Sequence, residues 1–582
     1  MLVYGDGSCL ASTRTELDGI AAALRQVAAM PPGIERHGEL VSVFIATGAL
    51  AQAIADAEFA ARGYDARSLA QDAAMDGLVR LAEAIRRSWT TGFVTSPISD
   101  AALKALARLP LPEHVELKRP EGYAFYALYP ESYLEAASAL AGVSPLRVVG
   151  IRSIGTGLAA LVAAATAAPG PVSVRPTGDP FRRRVNLCED LAAELAGDPA
   201  WRVAIADEGP GLSGSSFGAV ADALAARGLP DERMHFFPSH GGDLGPEASA
   251  RHRQRWASAP RHHVDFDALV LRAADPAHRL ESWVFDLVGA PEAPLEDLSG
   301  GAWRSRRFGA EAHWPPCHVQ QERRKFLLRT RSGTWLLKFA GLGRDDARKL
   351  QLARQLHAAG FTAEPVGCRH GFLVERWIEP CRVIDQNDRA RLVERLAAYL
   401  GFRAGAFPAE QGASLRDLLA MARRNTALAL GDGFAESLAA WQPQLDDLQS
   451  EVRAVCTDNR LHPWEWLQTP DGRLLKADAL DHHAAHDLIG CQDVTWDIAG
   501  AAVEFPLSDE EKDELCRIVA RAVGRPVHRR LLALSERCYA AFQIGYWSLA
   551  ADALAAFSAE ASRTRAAAAA YARTLERLLR SG

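Results

Sequence analysis

The sequence lacks paired cysteines, a strong excess of either charge and any long apolar run. Its nine cysteines are scattered without a Cys-x-x-Cys pair, which indicates neither a disulfide framework nor a zinc ribbon. The net charge of −6 argues against nonspecific electrostatic binding to nucleic acid or anionic lipid. The most apolar stretch, 157–168, is shorter than the roughly 20 residues of a spanning helix, and the N-terminus has no signal-peptide pattern. We therefore expect a cytoplasmic protein without nucleic-acid or membrane partners.

Composition and periodicity divide the 582 residues into four regions. With 48% hydrophobic and 24% charged residues the chain is of ordinary globular type. Residues 1–109 have the three- and four-residue apolar spacing of helices. Residues 110–245 alternate short β-branched runs with Ala-rich helical stretches, which predicts a parallel α/β sheet. Residues 246–301 are predicted to be a connector, and strands followed by helices in 302–582 predict a separate α+β domain.

The segment 201–228 contains the sharpest motif. A short apolar strand is followed at once by two acids, Asp207 and Glu208, and then by a loop of small residues before an amphipathic helix. The loop residues of interest are Gly211, Ser213, Gly214, Ser215 and Ser216. Small residues expose backbone N–H groups, and the N-terminus of a helix favours an anion, so this arrangement predicts a phosphate-binding site. The two acids would reach the hydroxyl groups of an attached sugar, although a generic strand-to-helix turn is the alternative.

This motif resembles the PRPP-binding signature of the type I phosphoribosyltransferases, with Ser in place of the usual Thr and an added Pro210. The resemblance implies that Asp207 and Glu208 hold the ribose hydroxyls while the loop holds the 5-phosphate. A strand, polar loop and helix at 146–166 would then be the pyrophosphate loop, with Arg152, Ser153 and Gly155. The arginines of a mobile basic loop would follow, namely Arg175, Arg182, Arg183 and Arg184. Residues 1–109 would form a hood over the acceptor.

The second half resembles the aminoglycoside-phosphotransferase-like kinases. Lys338 lies near the end of a hairpin strand, a second apolar strand precedes Glu375 to Ile378, and a polar loop, a turn and an acid follow in 457–505. The resemblance implies that Lys338 meets the ATP phosphates, that Glu375 and Ile378 form the hinge, that Asp478 holds Mg²⁺ and that Asp458 activates the acceptor hydroxyl. Where the family has its catalytic Asp this sequence has Arg460, and where it has a metal-binding Asn this sequence has Glu465, which could still be a ligand.

A zinc site competes with this interpretation. Six possible ligands fall within ten residues, and His482 and His486 have helical i, i+4 spacing. The six are Asp478, Asp481, His482, His483, His486 and Asp487. Such spacing suits zinc, but no matching Glu base or remote Cys/His set accompanies it. Hydrogen bonding around Asp478 explains the same residues.

Together the two resemblances imply a bifunctional enzyme: a PRPP-dependent phosphoribosyltransferase, working in either direction, fused to a small-molecule kinase. The implied cofactor is Mg²⁺. The implied partners are PRPP or a ribose 5-phosphate-containing nucleotide, ATP and a small-molecule acceptor, and a homodimer is compatible with them. The alternative is a regulatory protein that senses PRPP or nucleotides and carries a pseudokinase half, because Arg460 and Glu465 depart from the family pattern. A phosphorolytic nucleosidase fits less well, since the paired acids favour a 5-phosphorylated sugar.

Overall fold

The structure is a computed structural model. It describes residues 7–94, 98–198, 200–211, 213–410, 412–484, 489–555 and 557–581.

Helices dominate the first hundred residues, in agreement with the sequence pattern. The elements are β1 (Ser8–Ser12), α1 (Thr13–Ala29), α2 (Ile34–Arg62), α3 (Leu69–Thr90), α4 (Ala101–Leu106) and β2 (His114–Lys118). Strands β1 and β2 pair antiparallel. The side chain of Ser12 accepts a hydrogen bond from the backbone N–H of Thr15, and this N-cap begins α1.

By length and composition alone, helix α2 is long and apolar enough to cross a membrane. The sequence analysis did not predict such a helix. In its most apolar window 67% of the residues are buried within the protein. Its buried side chains include Val41, Phe44 and Ile54. A helix that is apolar on most of its faces and buried in this way is typical of a protein core.

The predicted parallel sheet is present. Its region contains α5 (Glu121–Phe125), α6 (Pro130–Ala137), β3 (Leu146–Ile151), α7 (Gly155–Thr166), β4 (Val172–Val174), α8 (Glu189–Ala196), β5 (Arg202–Ala206), α9 (Ser215–Ala225) and β6 (Met234–Phe237). The four strands β3 to β6 are parallel and lie in the order β4-β3-β5-β6. The chain therefore turns to opposite sides after β3 and after β5, and in such sheets ligands bind at the carboxyl ends of the strands where the order reverses.

Residues 246–301, predicted as a connector, are folded and partly buried. They form α10 (Ala250–Ser258), α11 (Leu280–Trp283), α12 (Phe285–Val288) and β7 (Glu296–Asp297). Leu280, Trp283 and Val284 are at most 1% exposed and belong to the same core as the N-terminal helices. The apolar residues of this segment pack into the core with some exceptions, such as Phe285, which is exposed.

An antiparallel sheet follows. Its elements are α13 (Arg304–Arg307), β8 (Lys325–Thr330), β9 (Gly333–Phe339), α14 (Arg344–Ala358), β10 (Pro365–Arg369) and β11 (Phe372–Arg376). The strand order is β10-β11-β9-β8-β7. Strands β8 and β9 form the hairpin predicted at Ser332 and Gly333, where Gly333 has a φ of 145°, a conformation that favours glycine.

Helices make up most of the remainder, as expected for this region. The elements are β12 (Arg382–Val383), α15 (Arg389–Ala406), α16 (Leu415–Leu430), α17 (Asp432–Ser437), α18 (Leu445–Glu451), β13 (Ala454–Val455), β14 (Trp466–Gln468), β15 (Leu474–Lys476), β16 (Gln492–Asp493), α19 (Val494–Glu504), α20 (Asp509–Val523), α21 (Arg529–Ala553) and α22 (Ser558–Arg580). Strands β14 and β15 form the hairpin predicted around 470–472.

The two halves of the chain share one hydrophobic core. Side chains of β9 and β11, among them Leu337, Phe339 and Phe372, lie in the same cluster as those of α2, α3 and α7. A second core joins α15, α16, α19 and α21. The antiparallel sheet is therefore packed against the first half on one side and against the C-terminal helices on the other.

Candidate functional site

Lys338 occupies the centre of the antiparallel sheet and reaches two carboxylates. Its side chain is 8% exposed, its Nζ contacts Asp478 Oδ1, and it lies 2.8 Å from Asp481 Oδ2. Burial would lower the pKa of Lys338, but the charges of Asp478 and Asp481 outweigh burial and raise it. The lysine is therefore held charged. Lys338, predicted to meet the ATP phosphates, and Asp478, predicted to hold Mg²⁺, are in direct contact.

Helix α14 brings a second lysine to this cluster. Lys349 Nζ contacts Asp481 Oδ1 and donates a hydrogen bond to Ala340 O. Asp345, near the start of α14, is instead bound by Arg119 at 2.5 Å. Asp481 therefore bridges two lysines.

The two predicted metal ligands lie together. Glu465 and Asp478, with His482, place one ligand atom each within 4.8 Å of one another. Lys476 Nζ lies 2.7 Å from Glu465 Oε2, and the side chain of Asp478 is 33% exposed. Two carboxylates at a cavity wall are the oxygen ligands that Mg²⁺ accepts alongside water and phosphate, so these residues fit the expected ion.

Asp458, the predicted base, lies beneath the cavity. Its side chain is 0% exposed, receives a hydrogen bond from the Tyr399 hydroxyl and lies 3.5 Å from Lys476 Nζ. Burial would raise the pKa of Asp458, but Lys476 and His482 outweigh burial and hold it well below the usual range. A carboxylate enclosed in this way organises the loop. It is not among the residues that line the cavity, and its role as base stays a prediction.

The same loop is fixed through its backbone. The N–H groups of Asp458 and Asn459 donate to the two carboxylate oxygens of Asp497, at 2.8 and 2.9 Å. Arg460, which replaces the expected catalytic Asp, lines the cavity and lies over the ring of Tyr546 at 4.7 Å. The position that faces the cavity from this loop therefore carries a cation.

A cavity of about 180 Å³ adjoins Lys338 and Asp478. Glu375 and Ile378, the predicted hinge residues, both line it. Arg307 donates a hydrogen bond to Ile378 O at 2.6 Å and lies 3.7 Å above the Trp377 ring. Burial raises the pKa of Glu375 to about 7, with Lys338 acting in the opposite direction. A smaller cavity, lined by Phe125 and Tyr126 of the first half, adjoins the same lysine.

In the first half, Asp207 and Glu208 follow β5 directly, as predicted, at the carboxyl edge of the parallel sheet. The backbone N–H of Glu208 donates to Asp207 Oδ1 at 2.8 Å, and the Tyr133 hydroxyl donates to Asp207 O at 2.7 Å. Burial raises the pKa of Asp207 to about 7, while Arg183 acts to lower it. Arg183 is thus close enough to influence this acid.

The small-residue loop leads into α9 with the expected strand-loop-helix geometry. Gly211 and Gly214 have φ values of 63° and 59°, and α9 begins at Ser215, followed by Ser216. The Ser215 hydroxyl donates to Pro180 O at 2.6 Å. The segment that carries Arg182 and Arg184 therefore folds back onto this loop. It is closed by reciprocal backbone bonds between Thr177 and Arg184.

The other predicted PRPP-binding arginines are engaged in the fold. Arg152 is 3% exposed and pairs with Asp65 and, at 3.1 Å, with Asp56. Arg175 pairs with Asp56 through Nε at 2.9 Å and donates to Arg152 O. These two guanidinium groups join the sheet to the N-terminal helices and do not form an open anion site.

Ser153 and Gly155 lie in the loop after β3. Ser153 lines a small cavity with Tyr123. A Cβ on Gly155 would lie 2.8 Å from Ala206 O, so the close approach of α7 to β5 requires glycine here.

Three residues that contact the candidate site residues were not predicted from the sequence. They are Lys349, which contacts Asp481, and Asp56 and Asp65, which pair with Arg152. In α14 the buried positions are Lys349, Ala353 and Leu356, so a lysine on the apolar stripe was the available signal. For Asp56 and Asp65 no local signal existed, because their partners are about 90 to 120 residues away.

Of the residues proposed for zinc, Asp478, Asp481 and His482 are close together, whereas His486 and Asp487 lie outside the described residues. His482 to Ala484 form a short 3₁₀ helix. The Nδ1 of His482 lies 3.0 Å from Asp458 O. The hydrogen-bonding alternative accounts for His482.

Comparison with known proteins gives similarities only among solved structures. No protein-family model and no curated protein matches the sequence. The chain is similar to choline kinase LicA from Streptococcus pneumoniae, with 16% identity and a TM-score of 0.31, over 43% of this chain and 89% of that one. It is also similar to a choline/ethanolamine kinase family protein from Mesorhizobium loti, with 17% identity and a TM-score of 0.32, over 53% and 95% of the two chains.

A third similar structure is a macrolide 2'-phosphotransferase type I, with 13% identity and a TM-score of 0.32, over 50% of this chain and 95% of that one. Scores of this size carry no functional argument. The function is therefore argued from the geometry of the cavity.

Proposed function

We propose that the second half binds a nucleoside triphosphate with Mg²⁺ in the 180 Å³ cavity and transfers its terminal phosphoryl group to a small molecule. The observation that carries the proposal is the convergence of Lys338, Asp478 and Glu465 at one wall of that cavity. Phosphoryl transfer needs little covalent chemistry from the protein and depends on positioning and charge neutralisation. A fixed cation beside two carboxylates provides both.

The charge balance around Lys338 favours a polyphosphate. Three cations, Arg323, Lys338 and Lys349, act on two carboxylates, Asp478 and Asp481. Asp345 also acts on Arg323 and Lys349. Lys338 is held charged in this largely buried cluster, where electrostatic attraction to a phosphate is stronger than in water. Asp478 and Glu465 would hold Mg²⁺, which when bound neutralises phosphate charge.

The loop geometry bears on the acceptor. Arg460 lines the cavity where a base would be needed, and Asp458 is enclosed. An arginine does not accept a proton, but it binds carboxylate and phosphate oxygens well. We infer an acceptor whose attacking oxygen is already anionic, a carboxylate or a phosphate, which needs no deprotonation.

The test is transfer of radioactive phosphate from γ-labelled ATP with Mg²⁺ to two acceptor panels, followed by separation of the products. One panel contains carboxylic acids and sugar phosphates, including ribose 5-phosphate, and the other contains neutral alcohols, choline and aminoglycosides. We expect labelled product from the anionic panel only. Label in the neutral panel would contradict the inferred acceptor, and no label in either panel would contradict transferase activity.

A second function is favoured by a separate observation in the first half. Asp207, Glu208 and the described loop residues 211 and 213–216 follow β5 where the strand order reverses, and Arg183 acts on Asp207. This arrangement supports binding of PRPP or a ribose 5-phosphate-containing nucleotide with Mg²⁺. Calorimetric titration with PRPP, Mg²⁺ and the Asp207→Asn/Glu208→Gln variant tests it, and equal affinity in both proteins would contradict it.

A further inference from the structure

Three buried metal-binding side chains meet where the two halves of the chain touch. They are His37 of α2, Glu131 of α6 and His370, which lies between β10 and β11. All three side chains are 0% exposed. His37 Nε2 lies 2.7 Å from Glu131 Oε1, and His370 Nε2 lies 3.3 Å from the same oxygen. The cluster is separate from the cavity and plays no part in the proposed phosphoryl transfer.

Several polar atoms of this cluster lack a partner among the described residues. Glu131 Oε2 and His370 Nδ1 make no hydrogen bond there, although each is fully enclosed, and His370 Nε2 has only the 3.3 Å contact with Glu131 Oε1. Buried polar atoms in folded proteins are nearly always satisfied, so each exception calls for an explanation. A bound ion at the centre of the three side chains supplies the missing partner.

We propose that His37, Glu131 and His370 bind a Zn²⁺ ion that joins the two halves of the protein. The ligand set consists of two imidazole nitrogens and one carboxylate, and with both oxygens of Glu131 it offers the four donor atoms that zinc takes. Imidazole ligands favour zinc over Mg²⁺ or Ca²⁺, which prefer oxygen.

The surroundings prepare the ligands for a metal. Ser88 Oγ lies 2.9 Å from His37 Nδ1, and donation of the Nδ1 proton to this hydroxyl leaves a lone pair on Nε2, as in many zinc sites.

The position of the site indicates a structural role. Its ligands are about 90 and 240 residues apart in the sequence, and the Tyr129 hydroxyl donates to His370 O at 2.8 Å beside it. His370 has a φ of 44°, a conformation uncommon for residues other than glycine, and the ion would hold this turn in place. The turn leads into β11, the neighbour of the strand that carries Lys338.

The first experiment uses the wild-type full chain. The protein is produced with zinc in the medium, passed through a desalting column and analysed for metal by mass spectrometry. We expect one zinc per chain, a melting temperature that falls on removal of zinc by a chelator and recovers on its return, and a cobalt-substituted protein with the spectrum of nitrogen and oxygen ligands. A metal-free protein whose melting temperature ignores added zinc would overturn the proposal, and the triad would then be only hydrogen-bonded.

Variants locate the ion. Glu131→Gln and His370→Gln should each reduce bound zinc at least tenfold, while His278→Gln should retain it. His278 is the matched control because it stacks on Trp89 at 3.7 Å and contacts Trp89 O at 2.8 Å through Nε2. If the ligand variants do not fold, the spectrum of the cobalt-substituted wild type identifies the ligand atoms instead. A thiolate charge-transfer band would move the ion to cysteines and overturn the proposal, as would zinc that survives Glu131→Gln but is lost in Cys456→Ser.

Discussion

Lys338 Nζ lies 2.8 Å from Asp481 Oδ2, and Asp481 lies three residues beyond Asp478, the acid that was expected to hold Mg²⁺. Asp481 is 7% exposed and also contacts Lys349, so the lysine of the central strand is fixed by an acid of the loop after β15. Helix α14 contributes a cation to the pair. The charged lysine beside the cavity is the physical basis of the proposed triphosphate site.

Lys349→Met should destabilise the protein by about 3 kcal/mol, because removal of one member of a buried ion pair leaves its partner uncompensated. The measurement is urea denaturation of the full chain. Lys104→Met is the control, since Lys104 pairs with Asp100 on the surface with 66% of its side chain exposed, and it should change stability by less than about 0.5 kcal/mol. Equal effects of the two variants would contradict the buried network.

Asp458→Asn should lower the melting temperature, because Lys476 would lose one of its two carboxylate partners and keep only Glu465. Since one partner remains, the loss should lie at the lower end of the range for a broken buried pair, about 3 kcal/mol. Tyr399→Phe removes one hydrogen bond to the same carboxylate and should cost about 1 kcal/mol. Differential scanning fluorimetry measures both. A fully stable Asp458→Asn protein that binds ATP but transfers no phosphate would instead restore Asp458 as the base.

Glu375→Gln should change how stability depends on pH. Burial raises the pKa of Glu375 to about 7, above its unfolded value near 4.5, so the folded state binds the proton more tightly. The contribution of this carboxyl group to the free energy of unfolding is fully present below about pH 4.5 and is lost as the pH rises through about 7. The variant should therefore gain stability relative to the wild type between pH 5 and pH 8, measured by denaturant titration at both values.

Glu364→Gln is the matched control for that experiment. Glu364 precedes β10 in the same sheet, and its side chain is 52% exposed. A constant difference between wild type and Glu375→Gln across this pH range would contradict the burial of a protonated carboxyl.

Arg152→Ala and Arg183→Ala should separate structure from binding in the first half. Arg152 is paired with the buried acid Asp65, so its loss should cost about 3–5 kcal/mol of stability. Arg183→Ala should leave the melting temperature nearly unchanged and weaken PRPP binding, since Arg183 acts on Asp207 from the surface loop. Thermal unfolding and calorimetry distinguish the two. The reverse pattern would contradict this assignment.

Local patterns in the sequence predicted the elements well. Alternation predicted the parallel strands around β3 and β5, and Ser332 and Gly333 predicted the hairpin that carries Lys338. The acids after β5 were placed correctly because a carboxylate at the end of a parallel strand must lie at the sheet edge. Glu465 and Asp478, which the family resemblance assigned to one metal ion, lie close to each other.

Long-range partners could not be predicted in this way. The local sequence around Arg152 predicts an anion ligand. Its actual partner, Asp65, lies 87 residues away in the sequence and is brought to it only by the fold. Asp458 was predicted to be a base because it is the acid nearest to the position of the expected catalytic Asp. Its contacts with Tyr399 and Lys476 involve other elements and could not be predicted locally. The shared core of the two halves also has no local signature, since any apolar strand face could have packed elsewhere.

Calorimetric titration of the full chain with ATP, with and without Mg²⁺, tests the central claim most directly when paired with Asp478→Asn. The account predicts that the wild type binds ATP much more tightly with Mg²⁺ than without, and that Asp478→Asn loses at least tenfold, about 1.4 kcal/mol, of the Mg²⁺-dependent affinity while keeping its fold. The wild type would contradict the account if it gave no binding heat at millimolar ATP with Mg²⁺. So would an Asp478→Asn protein with unchanged affinity.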